Sequence, residues 1–207
     1  MHRWKLNELT QIQEAFRQAC IDKGYPFHED FNAPDSTGIS PIAQNRQGRT
    51  RISTAIGYLT EARHRLNLTI RGHCLANRVL IEDGRVVGLE VESGGKIQRV
   101  DADNVILSAG TIQSPPILLR SGIGSAEDVA TLGVDLIHEL PGVGHNLTDH
   151  CLAFLFCVPK EGVCDLTDPV MQVILRYASD GGEANDMQMY VFNYWDLSEL
   201  TEMPQIF

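Results

Sequence analysis

The sequence has little positive charge, no long apolar run and few cysteines, and each shortage excludes a class of protein. Its 207 residues include 17 Lys and Arg against 27 Asp and Glu, which gives a formal net charge of −10. Such a chain has no basic field to hold nucleic-acid phosphates or an anionic membrane surface. The longest apolar run, residues 151–158, is far shorter than the roughly 20 residues of a bilayer-spanning helix. We therefore expect no nucleic-acid partner and no membrane span, and we interpret the run as a buried strand.

The cysteines do not form a pattern typical of a disulfide framework or a zinc site. There are 5 of them, and no C-x-x-C pair occurs and no cysteine stands at paired metal-ligand spacing from a histidine. We expect reduced thiols and no metal site. The first residues also lack the apolar segment and the small-residue cleavage site of a secretory signal, so a cytoplasmic protein is expected.

The apolar content, 43% against 21% charged residues, is enough to build a folded core. Apolar residues at helical spacing over 6–19, followed by Gly24, predict a first amphipathic helix. The composition of 25–49 predicts a long irregular excursion. Helical spacing returns over 52–66, and a short strand is expected at 68–71.

The strongest local signal lies in residues 74–102, where turn sequences at Asp83-Gly84 and at Ser93-Gly94-Gly95 separate apolar-rich runs. These turns tolerate positive φ, so the segment predicts an antiparallel β-meander. The next run, 104–108, is apolar on both faces and predicts a central strand of a parallel sheet. A mixed α/β fold is therefore expected.

Helix signals follow this strand. Ser114 before Pro115 predicts an N-cap residue with proline at the first helical position, and Ser125 predicts a second N-cap. A further helix is expected near 169–177, and we place a domain boundary at about residue 150.

Two glycine-rich segments resemble signatures of the glucose-methanol-choline (GMC) oxidoreductase family. Residues 110–124, GTIQSPPILLRSGIG, match the family's second signature at every fixed position, and residues 141–150, PGVGHNLTDH, are similar to its P-G-V-G-x-N-L-x-D-H segment. Upstream, 30–32 and 48–59 resemble its D-x-N and G-x-R-x-S segments. The resemblance extends over roughly residues 20–155.

This resemblance implies a fold and an activity. Residues 1–150 would be part of an FAD-binding, Rossmann-like domain that carries the β-meander, and residues 151–207 would begin a substrate-binding domain. The family oxidises the CH–OH group of an alcohol by hydride transfer to the flavin, so a choline dehydrogenase-like enzyme with a small-molecule alcohol substrate is implied. The alcohol and the electron acceptor stay open.

The resemblance also assigns residues to FAD in three segments. These residues are Ala76; Ala109, Gly110, Thr111 and Ser114; and Asn146, Asp149 and His150. Ala76 aligns with a valine whose backbone meets the adenine, while Ala109 and Gly110 would line the approach to the dinucleotide. Asn146, Asp149 and His150 would lie near the flavin, where His150 orients a loop in preference to transferring a proton.

Two parts of the family's site do not occur in the sequence. No strand leads into a complete G-x-G-x-x-G, which would hold the pyrophosphate, and the family's C-terminal catalytic histidine has no counterpart. We therefore assign no catalytic residue, interpret the chain as a central fragment, and expect it to be colourless and inactive by itself. The alternative from another class is a non-catalytic truncated relative that acts as a binding module or partner subunit.

Overall fold

The computed structural model describes residues 2–194 and shows the predicted mixed α/β fold. Its main elements are, in chain order, α1 Gln11–Asp22, β1 Gly38–Pro41, β2 Leu75–Glu82, β3 Arg85–Ser93, β4 Lys96–Asp101, α2 Gly110–Arg120, α3 Ala126–Thr131, β5 Val173–Tyr177 and β6 Met187–Met189. Short helical turns occur at Leu6–Glu8, Ala55–Leu59 and Thr60–Ala62. Two-residue strands pair His2–Arg3 with Ala43–Gln44, Arg46–Gln47 with Thr50–Arg51, and Ile123–Gly124 with His138–Glu139.

The described residues form two compact units. One combines residues 2–64 with 155–194, and the other is Arg65–Phe154. The predicted division into partial domains at 1–150 and 151–207 stays a prediction. In the part of the chain that the structure describes, no helix is long and apolar enough to cross a membrane.

In the first unit, α1 packs on an antiparallel sheet in which β5 lies between β6 and β1. The core at this contact contains Cys20, Ile39, Val173 and Leu175. The predicted first helix is confirmed, because its apolar face covers this sheet. It begins at Gln11, after a 3-10 turn, and ends just before Gly24, whose φ of +91° allows the chain to turn away.

A buried amide also joins α1 to the sheet. Gln13 is 0% exposed. Its Oε1 atom accepts hydrogen bonds from the backbone N–H groups of Gln172 and Val173, both at 3.1 Å. Its Nε2 group donates to the carbonyl of Val191 at 2.7 Å and to Oδ1 of Asn193 at 2.9 Å. All the polar atoms of this side chain are thus engaged, as burial requires.

Three predictions for this unit are wrong or incomplete. Residues 173–177 form strand β5 and not a helix, because Val173 and Ile174 pair with β1, a partner more than a hundred residues away that local spacing cannot reveal. For the same reason the segment 25–49 is not wholly irregular but contains the buried strand β1. The expected helix over 52–66 is limited to 55–62, since it buries no apolar face and a short isolated helix is marginal.

The second unit contains the predicted meander, which is confirmed. Strands β2, β3 and β4 pair antiparallel in sequence order, and the hairpins close at Glu82 with Arg85 and at Ser93 with Lys96. Both central residues of each turn have positive φ, as the tight hairpin turns that match strand twist require.

The other strands expected in or next to this unit are not formed. Residues 104–108 have no regular secondary structure, Val105 and Leu107 are only half-buried, and Ile106 is 89% exposed. Residues 68–71 are also irregular. The run 151–158 has no regular structure, and its Leu155 is 93% exposed. An apolar run becomes a strand only beside another strand, and none in residues 2–194 pairs with these segments.

Candidate functional site

Helix α2 begins with an exposed turn at Ala109, Gly110 and Thr111. Gly110 has φ of +83°, and a Cβ atom built on it would have no neighbour within 4 Å. The backbone amides of a first helical turn have no acceptor inside the helix, and such amides favour anionic oxygen atoms. This turn therefore offers open backbone donors to a ligand that approaches the main chain.

Ser114 lies inside this helix and is not its N-cap residue. The helix starts at Gly110, so Pro115 and Pro116 fall in its interior and the predicted start at Ser114 is wrong. The Ser114 Oγ atom instead accepts a hydrogen bond from the backbone N–H of Ala109 at 3.1 Å. The hydroxyl therefore fixes the entry turn and keeps its own hydrogen available to donate.

The other end of α2 is joined to strand β2. The Arg120 guanidinium donates through Nε to the carbonyl oxygen of Asn77 at 2.7 Å and through Nη2 to that of Ala76 at 3.4 Å. Ser121, which is 3% exposed, accepts a hydrogen bond from the backbone N–H of Val79 at 2.8 Å. These bonds set the position of Ala76 relative to the helix.

The first half of the segment 141–150 packs on α2, and the second half contains the predicted flavin residues. A Cβ atom built on Gly144 would lie 3.8 Å from Cβ of Pro115, and Val143 beside it is buried. Next, Nε2 of His145 lies 3.0 Å from Oδ2 of Asp128 in α3. Asn146 then adopts φ of +61°, a left-handed conformation that asparagine tolerates better than most residues.

The first turn of α3 holds an ionised carboxylate. Ser125 is its N-cap residue, as predicted, and its Oγ accepts from the backbone N–H of Asp128 at 3.1 Å. The same hydroxyl donates to Oδ2 of Asp128 at 2.6 Å. The Ser125 hydrogen bond, and secondarily the one from His145, hold the pKa of Asp128 below its ordinary value.

The structure brings only some of the predicted FAD residues together. Ala109, Gly110, Thr111 and Ser114 share one turn, and Ala76 is linked to their helix through Arg120. Asp149 accepts a hydrogen bond from the backbone N–H of its neighbour His150 at 2.7 Å, and both are exposed. Among residues 2–194, no hydrogen bond or ion pair joins these two to the turn at Gly110, and the FAD-binding role of all the predicted residues stays a prediction.

Sequence reasoning missed Arg120, Ser121 and the pair of Asp128 with His145. Arg120 and Ser121 lie inside the signature segment 110–124, and His145 lies inside 141–150, so the sequence motifs include all three residues. The hydrogen-bond partners of Arg120 and Ser121 could not be predicted, because they are backbone atoms of β2, which carry no sequence signal.

These features fit one side of a dinucleotide. The turn at Gly110 leaves the main chain open to close approach, and its amides suit a phosphate or ribose oxygen. The Ala76 carbonyl oxygen accepts a long bond of 3.4 Å from Arg120, and a carbonyl oxygen has a second lone pair that can accept from a ligand. The described residues contain no group of three or more His, Cys, Asp or Glu side chains that could hold a metal ion.

The fold is of the mixed α/β class with antiparallel sheets, and comparison with known proteins gives the family. A family model described as GMC oxidoreductase matches residues 2–152. The chain belongs to the GMC oxidoreductase family.

Two relatives show the extent of the similarity. The chain is 43% identical over 160 residues to an oxygen-dependent choline dehydrogenase of Escherichia coli, covering 75% of this chain and 29% of that protein. It is 37% identical over 175 residues to an uncharacterised GMC-type oxidoreductase of Rhodococcus erythropolis, covering 83% of this chain and 35% of the relative.

Solved structures agree. Pyridoxine 4-oxidase from Mesorbium loti superposes with a TM-score of 0.64 at 33% identity, covering 68% of this chain and 28% of that chain. An FAD-dependent oxidoreductase from Chaetomium thermophilum gives a TM-score of 0.61 at 27% identity, covering 66% of this chain and 24% of that one. The chain thus spans about a third or less of the length of these relatives.

Proposed function

We propose that this chain forms part of the FAD site of an oxidoreductase that oxidises an alcohol to a carbonyl compound. The observation that supports this best is the open entry to α2, where Gly110 presents an exposed main chain at a helix N-terminus. Membership of the GMC family supplies the reaction class, since its named relatives are a choline dehydrogenase and a pyridoxine 4-oxidase. These names cover both a dehydrogenase and an oxidase, so the electron acceptor stays open.

Each predicted residue has a task in this proposal, and the task of Ser114 is to fix the entry turn through its bond with Ala109. The backbone of Ala76 meets the adenine. The turn formed by Ala109, Gly110 and Thr111 receives the dinucleotide, with the backbone amides of Gly110 and Thr111 as donors. The FAD, when bound, accepts the hydride from the alcohol carbon. Asn146, Asp149 and His150 belong to the loop that reaches the flavin, with His150 as an orienting residue. No residue of this chain is assigned as the base that takes the hydroxyl proton.

The proposal is tested by equilibrium titration of the purified chain with FAD, followed by fluorescence anisotropy of the flavin. We expect saturable but weak binding, because the site lacks the charge-assisted hydrogen bonds of a G-x-G-x-x-G turn, each worth roughly 1.5 to 3 kcal/mol. Adenosine diphosphate in excess should displace the flavin. Complete absence of binding contradicts the proposal and favours the alternative of a non-catalytic relative.

A further inference from the structure

Strand β2 contains a β-bulge at the residue that follows the proposed adenine contact. Ala76 pairs with Val91 of β3, whereas Arg78 pairs with Glu90. Two steps along β2 therefore correspond to one step along β3, and Asn77 is the extra residue. A bulge takes the extra residue out of the regular ladder and turns the backbone on either side of it.

One guanidinium holds both carbonyl groups at this bulge. Arg120, the last residue of α2, reaches the carbonyl oxygen of Asn77 at 2.7 Å and that of Ala76 at 3.4 Å. Its side chain is half-buried, and its donors have a rigid planar arrangement that suits two acceptors held at a fixed spacing. Hydrogen bonds from a charged donor are also stronger than neutral ones.

The packing of α2 on β2 has a separate support. Ser121 accepts from the backbone N–H of Val79 at 2.8 Å and donates to the carbonyl of Ile117 at 2.6 Å. This buried hydroxyl fixes the helix to strand β2 at Val79, two residues beyond Asn77. Because Ser121 already joins the two elements, we assign the Arg120 bonds a local effect, on the backbone conformation of Ala76 and Asn77.

We propose that Arg120 is a positioning residue, which holds the bulged backbone of Ala76 and Asn77 in the conformation that recognises the adenine of FAD. This inference rests on the proposed function. A contact made by an alanine must be made by its main chain, so the direction of that main chain decides whether adenine is recognised. The Ala76 carbonyl has two lone pairs and can accept from the adenine amino group while Arg120 also donates to it.

The test compares two flavins that differ in adenine. FAD contains adenine and FMN does not, so loss of the adenine contact must change the affinity for FAD alone. We expect Arg120→Met to weaken FAD binding about tenfold and to leave FMN binding unchanged, as measured by flavin anisotropy at equal protein concentrations. Arg120→Lys keeps the charge and one donor and should give an intermediate FAD affinity.

Arg99→Met is the matched control. Arg99 lies on β4 of the same sheet, is exposed, and pairs with Glu82 at 2.8 Å and Asp101 at 2.6 Å. This variant removes the same charge without touching the bulge, so it should keep the FAD-to-FMN affinity ratio of the wild-type chain. Thermal unfolding of all the variants shows whether a loss of affinity follows a loss of fold.

The outcomes separate the two proposals. Equal losses of FAD and FMN affinity in Arg120→Met, or an unchanged FAD affinity, overturn the positioning role while the FAD site stands. If Arg120→Met does not fold, the affinity ratio of Arg120→Lys decides in the same way. A wild-type chain that binds no FAD contradicts the proposed function itself and this inference with it.

Discussion

The Nε2 atom of His145 lies 3.0 Å from Oδ2 of Asp128, which ties the segment 141–150 to the first turn of α3. The contact falls just before Asn146, where the backbone turns with φ of +61°. It therefore fixes the point from which the segment leaves α2 for Asp149 and His150.

The carboxylate of Asp128 makes the stability of this region depend on pH. Its pKa in the folded chain is lowered first by the Ser125 hydroxyl and then by His145. A group whose pKa is lower in the folded state stabilises the fold above its unfolded pKa and loses that contribution as the pH falls through the folded pKa. We expect the difference in free energy of unfolding between the wild-type chain and Asp128→Asn to shrink as the pH falls below about 4.

Chemical denaturation at a series of pH values measures this difference. Ser125→Ala removes the larger cause of the lowered pKa. The free energy of unfolding should therefore differ less between Ser125→Ala and the double variant Ser125→Ala/Asp128→Asn than between the wild-type chain and Asp128→Asn. A difference that grows on acidification contradicts this account of the pair.

Gly110→Ala should affect FAD binding more than it affects the fold. At φ of +83°, with no atom within 4 Å of the added Cβ, the cost is the left-handed conformation alone, about 1 to 2 kcal/mol. The added methyl group, however, stands where a ligand would meet the main chain. FAD affinity should fall severalfold, as measured by anisotropy.

Gly94→Ala provides the comparison. Gly94 also has positive φ, at +57°, with nothing within 4 Å, and it lies in the turn between β3 and β4. The free energy of unfolding should fall by a similar amount in Gly94→Ala as in Gly110→Ala, while the FAD affinity of Gly94→Ala stays at the wild-type value. Equal FAD affinities in the two variants would show that glycine is needed at position 110 for the backbone conformation of the turn and not for contact with a ligand.

Gln13→Ala should destabilise the first unit strongly. The change leaves the backbone N–H groups of Gln172 and Val173 buried without their acceptor, and each unsatisfied group costs about 1 to 3 kcal/mol. For the two groups together we expect a loss of about 2 to 6 kcal/mol in urea denaturation. Gln18→Ala, an exposed position on the same helix, should change stability by no more than about 0.5 kcal/mol, and comparable losses in both variants would contradict the role given to the buried amide.

The sequence predicted those elements whose cause is local. The meander follows from Asp83-Gly84 and from Gly94-Gly95, whose positive φ values select hairpin turns, and α3 follows from the side chain of Ser125. Strand β5 could not be predicted, because its pairing with β1 depends on contact between distant segments. The run 104–108 shows the opposite error, since its composition predicts a strand but no described strand pairs with it.

The candidate site divides in the same way. The turn at Gly110 stands in a segment with a specific motif, so sequence located it, although the helix starts four residues before the predicted N-cap at Ser114. The bulge at Asn77 and its contact with Arg120 depend on backbone atoms of two separate elements. Only the folded arrangement reveals them.

The measurement that tests the central claim most directly is a titration of the isotopically labelled chain with FAD, followed by the amide resonances of each residue. The account predicts saturable shifts at Ala76 and over Ala109, Gly110 and Thr111, with one dissociation constant for all of them. Shifts confined to other residues, or no shifts at any FAD concentration, would contradict the claim that this chain forms part of an FAD site.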